Sequence, residues 1–178
     1  MRMGRGERAI TELMSIVELV SGMCKAAFGA GLYSPEVEGK APPGLILGLV
    51  EEGVARGKVK EIYGEIRERE AGRLGHRSVP LFWRAVAHAP LYLEAVWNRS
   101  KVLLAEGEIS LKDKETLGLA VAANTGCHYF AHEHAAALRR LGVDDAALVR
   151  VLAVVDYFDG LNKLSEGMDI ESDIKPDL

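Results

Sequence analysis

Thiols are scarce in this sequence, which has only Cys24 and Cys127 among its 178 residues. So few cysteines exclude a disulfide framework, and the two lie too far apart in the chain for a zinc-finger pattern. His128 and His132 stand at i and i+4, but two histidines on an alanine-rich helix are a weak metal signal and are more typical of a surface. With 48% hydrophobic residues, the chain can bury one core without disulfide bonds or a structural metal ion to stabilise it. We predict no metal site.

Long apolar runs and an excess of positive charge are also missing. The longest uninterrupted apolar stretch, near Pro43 to Val50, is far shorter than the about 20 residues that span a bilayer. The net charge is −4, and the basic residues Arg67, Arg69 and Arg73 are interleaved with glutamates, which is typical of a solvated helix face. These features argue against a membrane partner and against nucleic-acid binding.

Strand-like alternation and internal repeats are absent, and apolar residues recur instead at the three-and-four spacing of helices. This spacing predicts an all-α fold that begins with an amphipathic helix. Because Glu12 and Glu18 interrupt the apolar stripe of that helix, it does not resemble a secretory signal, and we expect a cytoplasmic protein. The predicted inner stripe consists of Ile10, Leu13, Met14, Val17, Ser21, Cys24 and Phe28.

We divide the chain into three parts. Residues 1–57 comprise the N-terminal amphipathic helix and a linker rich in proline and glycine, from Tyr33 to Pro43. Residues 58–164 form the main helical domain. Its last helix, from Ala146 to about Leu161, is apolar on most sides and is therefore predicted to be central or buried between subunits. Residues 165–178 form an acidic tail.

Further helices are predicted between the linker and residue 107. They are marked by Val59, Ile62, Tyr63 and Ile66, by the run from Pro80 to Trp83, and by Leu93, Val96, Trp97, Ser100 and Leu104. Aromatic residues at helical spacing are typical of a core, although these could also line a pocket beside Cys127. The aromatic residues in question are Phe82, Trp83, Tyr92 and Trp97.

Cys127 follows Asn124-Thr125-Gly126, which favours a helix start, so its thiol is predicted to lie in the first turn of a helix that ends near Gly142. Backbone N–H groups in a first turn stabilise a thiolate, which makes Cys127 a candidate nucleophile with a lowered pKa. Phe130 at i+3 and His134 at i+7 share its face of the helix. The imidazole lies about 10 Å further along the axis, so it needs a water or another side chain to reach the thiol.

Glu115 lies on the preceding helix, which Ser110 and Asp113 open with a capping pattern. An inward-facing carboxylate loses its hydration, and burial would raise its pKa toward the range of a general base. Its neighbours on the same helix face are the apolar residues Leu111, Leu119 and Ala122.

Each of these residues also has a simpler interpretation. A cysteine such as Cys24 or Cys127 is often a small buried apolar residue. A glutamate in a first helical turn often serves the helix dipole, and lone histidines often pack or face solvent. Alternatively, Cys24 could resolve a sulfenic acid on Cys127, within one chain or across a subunit boundary.

The pattern as a whole consists of Glu115, the small-residue run from Ala120 to Gly126, Cys127, Tyr129, His134 and Leu141-Gly142-Val143. It resembles the core motif of the carboxymuconolactone decarboxylase and AhpD-type alkylhydroperoxidase superfamily. The resemblance implies an AhpD-like helical bundle, here with an N-terminal amphipathic extension. It also implies a homo-oligomer, often a trimer or hexamer, with the active site in a small apolar cavity near a subunit boundary. Glu115, Cys127 and His134 would be the catalytic residues, and no cofactor is implied.

The sequence departs from the peroxidase branch of that superfamily at one position. Peroxidase members carry Cys-x-x-Cys followed by a histidine four residues later, and Phe130 occupies the second cysteine position here. Phenylalanine cannot take part in a disulfide cycle within the motif. Three functions stay open: a one-cysteine peroxidase restored by an external thiol, a cofactor-free enzyme acting on a small lactone or keto acid, and a non-catalytic ligand-binding oligomer.

We favour the first of these, a thiol-dependent hydroperoxidase with an antioxidant role. In this hypothesis Glu115 takes the proton of Cys127, directly or through water, and the thiolate attacks the hydroperoxide. His134 then helps to protonate the departing alkoxide, and an external thiol restores the cysteine. In the decarboxylase-like alternative, Glu115 and His134 act as acid and base on a small carbonyl compound, and Cys127 is a bystander.

Overall fold

A computed structural model describes residues 6–34 and 42–170, and in this part of the chain it contains seven α-helices and no strand. The predicted all-α class is confirmed. The helices are α1 (Glu7–Gly29), α2 (Gly57–Arg73), α3 (Leu81–Val86), α4 (Pro90–Leu103), α5 (Leu111–Asn124), α6 (His128–Arg140) and α7 (Asp145–Gly167). None of the described helices is long and apolar enough to cross a membrane.

Local sequence accounts for where several helices begin. The Ser110 hydroxyl accepts the Asp113 N–H at 3.2 Å and caps α5, as the capping pattern predicts. The Asp144 carboxylate accepts the Ala147 N–H at 2.7 Å and caps α7. Pro90 lies in the first turn of α4, where its missing N–H costs no hydrogen bond.

The segment before Cys127 ends a helix rather than starting one. Thr125 is the C-cap of α5, and Gly126 takes a positive φ of 68° that reverses the chain. The Cys127 N–H then donates to the Ala122 carbonyl at 2.8 Å, which closes the end of α5. Cys127 is therefore the N-cap of α6, one position earlier than the first helical turn in which the sequence placed it.

The antiparallel pair α5 and α6 forms the centre of the bundle. Helix α1 packs along α5 and also contacts α4 and α6, α2 packs on α4, and α7 packs on α5. The largest side chains of the core include Tyr63, Phe82, Trp97 and Tyr129, all nearly inaccessible to solvent. This arrangement brings α1, at the beginning of the chain, against the start of α6.

The predicted inner stripe of α1 is largely wrong, because Ile10, Met14, Val17 and Phe28 are exposed. The helix carries apolar residues on more than one side, so its spacing fits two orientations, and packing against α5 selects one of them. Cys24 is buried, as predicted. The residues that α1 buries are Ala9, Ile16, Leu19, Val20, Met23, Cys24 and Ala27.

Helix α7 is peripheral within the chain rather than central. Leu148 is its one buried residue, and the helix extends through Gly167 into the segment predicted to be a tail. Residues 35–41 of the predicted linker and 171–178 of the predicted tail lie outside the described residues. The exposed apolar side chains of α7 are Val149, Leu152, Val154, Tyr157, Phe158, Leu161 and Leu164.

Candidate functional site

The two thiols of the chain lie side by side in the core. Cys24 lies on the buried face of α1, Cys127 is the N-cap of α6, and the two thiols interact with each other. Both belong to the same buried cluster, with Cys24 2% and Cys127 7% exposed. The contact joins residues that are distant in sequence, so only the packing of α1 against the α5 and α6 pair creates it.

The neighbouring thiols differ in their protonation. A hydrogen bond from Cys24 lowers the pKa of Cys127 to about 7, against the opposing effect of burial, and the backbone N–H groups of Phe130 and Tyr129 lower it further. The same hydrogen bond, together with burial, raises the pKa of Cys24. When the pair ionises, Cys127 is therefore the thiol that is favoured to lose its proton. The predicted lowering of the Cys127 pKa is confirmed, with Cys24 as its largest cause.

Glu115 and His134 meet in a buried ionic network on the other side of Phe130. The Nδ1 of His134 lies 2.7 Å from Glu115 Oε2. Arg73 from α2 binds the same carboxylate through two nitrogens, with Nε 2.7 Å from Oε1 and Nη2 3.0 Å from Oε2. Bidentate contacts of this kind are among the strongest that a carboxylate forms in a protein. The packing also depends on Gly118, because a Cβ there would lie 2.3 Å from His134 Cε1.

The predicted rise in the pKa of Glu115 is wrong. Burial by itself would raise this pKa, but the positive charge of Arg73 and the contact with His134 outweigh burial and lower it below the usual value. Glu115 is thus held as a carboxylate and is a weak base. It serves instead to hold Arg73 and the His134 ring in place.

Sequence reasoning missed Arg73 and its partner Glu70, which it assigned to a solvated helix face. Glu70 is buried and lies 3.0 Å from Arg73 Nη1. The signal was present in the spacing, since Glu70 and Arg73 continue the three-and-four stripe that runs through Val59, Ile62 and Ile66 on α2. Charged residues on an apolar stripe indicate a buried ionic contact.

Glu133 is a second carboxylate that the sequence did not single out as functional. Tyr129 donates its hydroxyl hydrogen to Glu133 Oε1 at 2.8 Å, and Arg73 Nη1 lies 3.5 Å from Oε2. Burial raises the pKa of Glu133 to about 7, although Arg73 opposes this, and the negative charge of Glu70 adds to the rise. We define Glu70, Arg73, Glu115, Glu133 and His134 as the Arg73 cluster.

Phe130 separates the thiols from the Arg73 cluster along α6. It follows Cys127 by one turn and precedes His134 by one turn, and its ring centroid lies 6.3 Å from that of His134. The ring also packs edge-on against Phe82 at 5.1 Å. The structure therefore brings Glu115 and His134 together and places Cys127 with Cys24 instead.

Two larger cavities border the Arg73 cluster. One of about 590 Å³ is lined by Tyr129, Glu133, Arg84 and His76, among others. The other, of about 320 Å³, is lined by Arg73, Glu115, Arg69 and Arg140, among others. A third cavity, beside Trp83, Phe130 and His134, measures only about 20 Å³.

The remaining predicted residues lie away from this chemistry. His128 and His132 are exposed, as the surface interpretation requires. Phe82 and Trp97 are core residues, and Tyr92 is 45% exposed. Trp83 is buried and lies next to the cavity of about 20 Å³. Among the described residues, no three histidine, cysteine, aspartate or glutamate side chains are arranged to hold a metal ion.

Comparison with known proteins gives a family match and a similar solved structure. Residues 90–170 match the carboxymuconolactone decarboxylase family, and this range includes Glu115, Cys127 and His134. The crystal structure of the alkylhydroperoxidase AhpD core from Rhodospirillum rubrum is 29% identical with a TM-score of 0.65, and the match covers 72% of this chain and 93% of that one. No curated protein matches the chain.

Proposed function

We propose that this chain, which matches the carboxymuconolactone decarboxylase family over residues 90–170 and is similar in structure to an AhpD core, is a thiol-dependent hydroperoxide reductase whose nucleophile is Cys127. The observation that carries the proposal is the place of Cys127 at the N-cap of α6, where Cys24 and two backbone N–H groups lower the pKa of the thiol to about 7. At neutral pH about half of such a thiol is thiolate, the form that attacks peroxides. The similar Rhodospirillum rubrum structure is named as an alkylhydroperoxidase.

The proposed reaction begins with attack of the Cys127 thiolate on the terminal oxygen of a hydroperoxide. The O–O bond breaks, Cys127 becomes a sulfenic acid, and the departing alkoxide takes a proton to become an alcohol. We assign the supply of that proton to His134 through a bridging water, because Phe130 lies between the imidazole and the thiol. Glu115 is a positioning residue that fixes the His134 ring through Nδ1. An external thiol reductant completes the cycle.

The test is hydroperoxide consumption by the purified protein with an organic hydroperoxide and a small dithiol as reductant. Wild-type protein and the exposed-residue control His132→Gln should both turn over, while Cys127→Ser should lose activity at least about a hundredfold, because a hydroxyl is a far weaker nucleophile than a thiolate. Undiminished turnover by folded Cys127→Ser would refute the proposal. An inert thiol in the folded wild type would favour a non-catalytic ligand-binding protein.

Acid–base chemistry on a small carbonyl compound, such as a lactone or keto acid, is the second candidate. The observation that favours it is Glu133, whose pKa of about 7 suits a general acid or base and which borders the cavity of about 590 Å³. The Arg84 guanidinium lines the same cavity, where it is ion-paired with Glu51. Decarboxylation or deuterium exchange of such compounds should be lost in Glu133→Gln and retained in Cys127→Ser if this function is correct.

We also propose that the chain assembles with copies of itself. The support is the row of exposed apolar side chains on α7, among them Leu152, Phe158 and Leu161. A surface of this kind on a monomer is unusual unless another molecule covers it. A second copy of the chain is the partner that the superfamily resemblance implies.

A further inference from the structure

The position of Cys24 supplies the thiol that the motif itself lacks. In the sequence, Phe130 stands where a second motif cysteine would close a disulfide with Cys127. In the folded chain, Cys24 on α1 lies in the same buried cluster as Cys127 and interacts directly with its thiol. Phe130 packs edge-on against Phe82 and Tyr129, so its ring is part of the aromatic core.

We propose that Cys24 and Cys127 of one chain form a reversible disulfide, with Cys24 as the resolving thiol of the peroxide cycle. The resolving role rests on the proposed function, whereas the ability of the pair to form a disulfide does not. A disulfide requires Cα atoms within roughly 7 Å of each other and side chains that face one another. The two thiols lie in one buried cluster, α1 packs against α6, and the thiols interact with each other directly, so the pair meets the need for proximity in the folded bundle.

The resolving step balances without a further reactant. After peroxide attack, the Cys127 sulfenic acid holds the oxygen on its sulfur. The Cys24 sulfur attacks that sulfur, the S–O bond breaks, and the oxygen leaves as water with the Cys24 proton and the sulfenic acid hydrogen. An external dithiol then attacks the disulfide and returns two electrons and two protons, which restores both thiols.

The two sulfurs have unequal roles in this cycle because their surroundings differ. Cys127 holds the thiolate at the start of α6, so it meets the oxidant first. Cys24 is the more deeply buried of the two, at 2% exposed against 7%, and it keeps its proton until the sulfenic acid forms.

The experiment treats fully reduced protein with one equivalent of cumene hydroperoxide in the presence of dimedone, followed by intact mass and non-reducing peptide mapping. Wild type should lose two hydrogens, yield a linked peptide containing both cysteines, and carry little dimedone. Cys24→Ser and Cys24→Ala should instead accumulate at least about tenfold more dimedone adduct on Cys127, because no resolving thiol competes with the trap. Two variants are used so that a folding defect in one does not decide the result.

A second oxidant separates this inference from the proposed function. Diamide takes two electrons and two protons from a thiol pair without any peroxide chemistry. Disulfide formation with diamide but not with hydroperoxide would support the pair and refute the peroxidase function. Oxidation of Cys127 by hydroperoxide without a disulfide, or a stable sulfenic acid in wild type, would refute Cys24 as the resolving thiol.

Mixing chains labelled with 15N and 14N before oxidation tests whether the disulfide lies within one chain. A linked peptide that contains one label from each chain would overturn the inference, because it would come from two subunits. Linked peptides with a single label would support it.

Discussion

At the residue scale, the chemistry of the chain depends on which neighbour each ionisable side chain has. Cys127 has Cys24 and backbone N–H groups beside it, so its charged form is favoured despite burial. Glu115 has Arg73 beside it and also stays charged. For Glu133, burial outweighs the contact with Arg73, the charge of Glu70 adds to the effect of burial, and the pKa rises to about 7. Similar burial thus gives opposite shifts because the neighbouring charges differ.

The reactivity of Cys127 should follow its lowered pKa. In wild type, the alkylation rate with iodoacetamide should rise through a midpoint near pH 7, because the pKa of the thiol is about 7. Cys24→Ala removes the hydrogen bond and should move the midpoint toward the ordinary thiol value of about 8.5. Cys24→Ser keeps a hydroxyl donor and should move it less. Identical midpoints in wild type and Cys24→Ala would contradict the role assigned to Cys24.

Arg73 should be important for stability because its guanidinium is the positive charge shared by Glu70, Glu115 and Glu133. Arg73→Gln leaves these buried carboxylates without it and should lower the free energy of unfolding by about 3–5 kcal/mol at pH 7. Arg77→Gln is the matched control, since the Arg77 side chain is 77% exposed, and it should have little effect. Urea unfolding measures both.

The effect of Arg73→Gln should also depend on pH. Arg73 lowers the pKa of Glu115 in the folded protein, so the stability that this contact provides is present above the unfolded pKa of the carboxyl group, about 4.3, and is lost as pH falls toward the folded pKa. The stability difference between wild type and Arg73→Gln should therefore shrink in acid. A difference that stays constant from pH 7 to pH 3 would contradict this account of Glu115.

At the scale of helices, the close approach of α5 and α6 is the feature that assembles the site. Gly118 of α5 allows the His134 ring of α6 to lie against the helix backbone, and a methyl group there would overlap Cε1 at 2.3 Å. The turn at Gly126 then places Cys127 at the start of α6. One hairpin thus sets the positions of Glu115, Cys127 and His134.

Gly118→Ala tests this approach. Alanine favours a helix over glycine by about 1 kcal/mol, but the collision with His134 should cost more, giving a net destabilisation of about 1–3 kcal/mol. Gly64→Ala in α2 is the control, because its Cβ meets no atom within 4 Å, and it should stabilise the protein slightly. Thermal unfolding of both variants provides the measurement, and equal stabilisation by the two would show that the contact is not tight.

At the scale of the whole molecule, the exposed apolar surface of α7 predicts self-association. Light scattering coupled to size-exclusion chromatography should give a molecular mass well above the 19.3 kDa of one chain. Leu161→Glu should shift the equilibrium toward the monomer, because it introduces a charge on the apolar face, whereas Lys163→Gln changes the net charge by the same amount at a polar position and should act less. A monomeric wild type at micromolar concentration would refute the assembly.

The sequence predicted much of the fold because its local signals agreed with the packing. The stripe of Val59, Ile62 and Ile66 and the cap at Ser110 both correspond to observed helices. The inner face of α1 was assigned incorrectly because its apolar residues fit more than one orientation. The sequence predicts a solvated Arg73 because the residue is charged, although its position continues the buried stripe of α2.

The sequence by itself determined the helical class, the superfamily resemblance and the placement of Glu115, Cys127 and His134 on one helical hairpin, because these follow from residue types at short spacing. The tertiary structure alone decided the partners of that group. Cys24 meets Cys127 only because α1 packs against the central hairpin, and Arg73 meets Glu115 only because the end of α2 enters the core. Contacts between residues so far apart in the chain arise from the packing of whole helices, which local patterns do not encode.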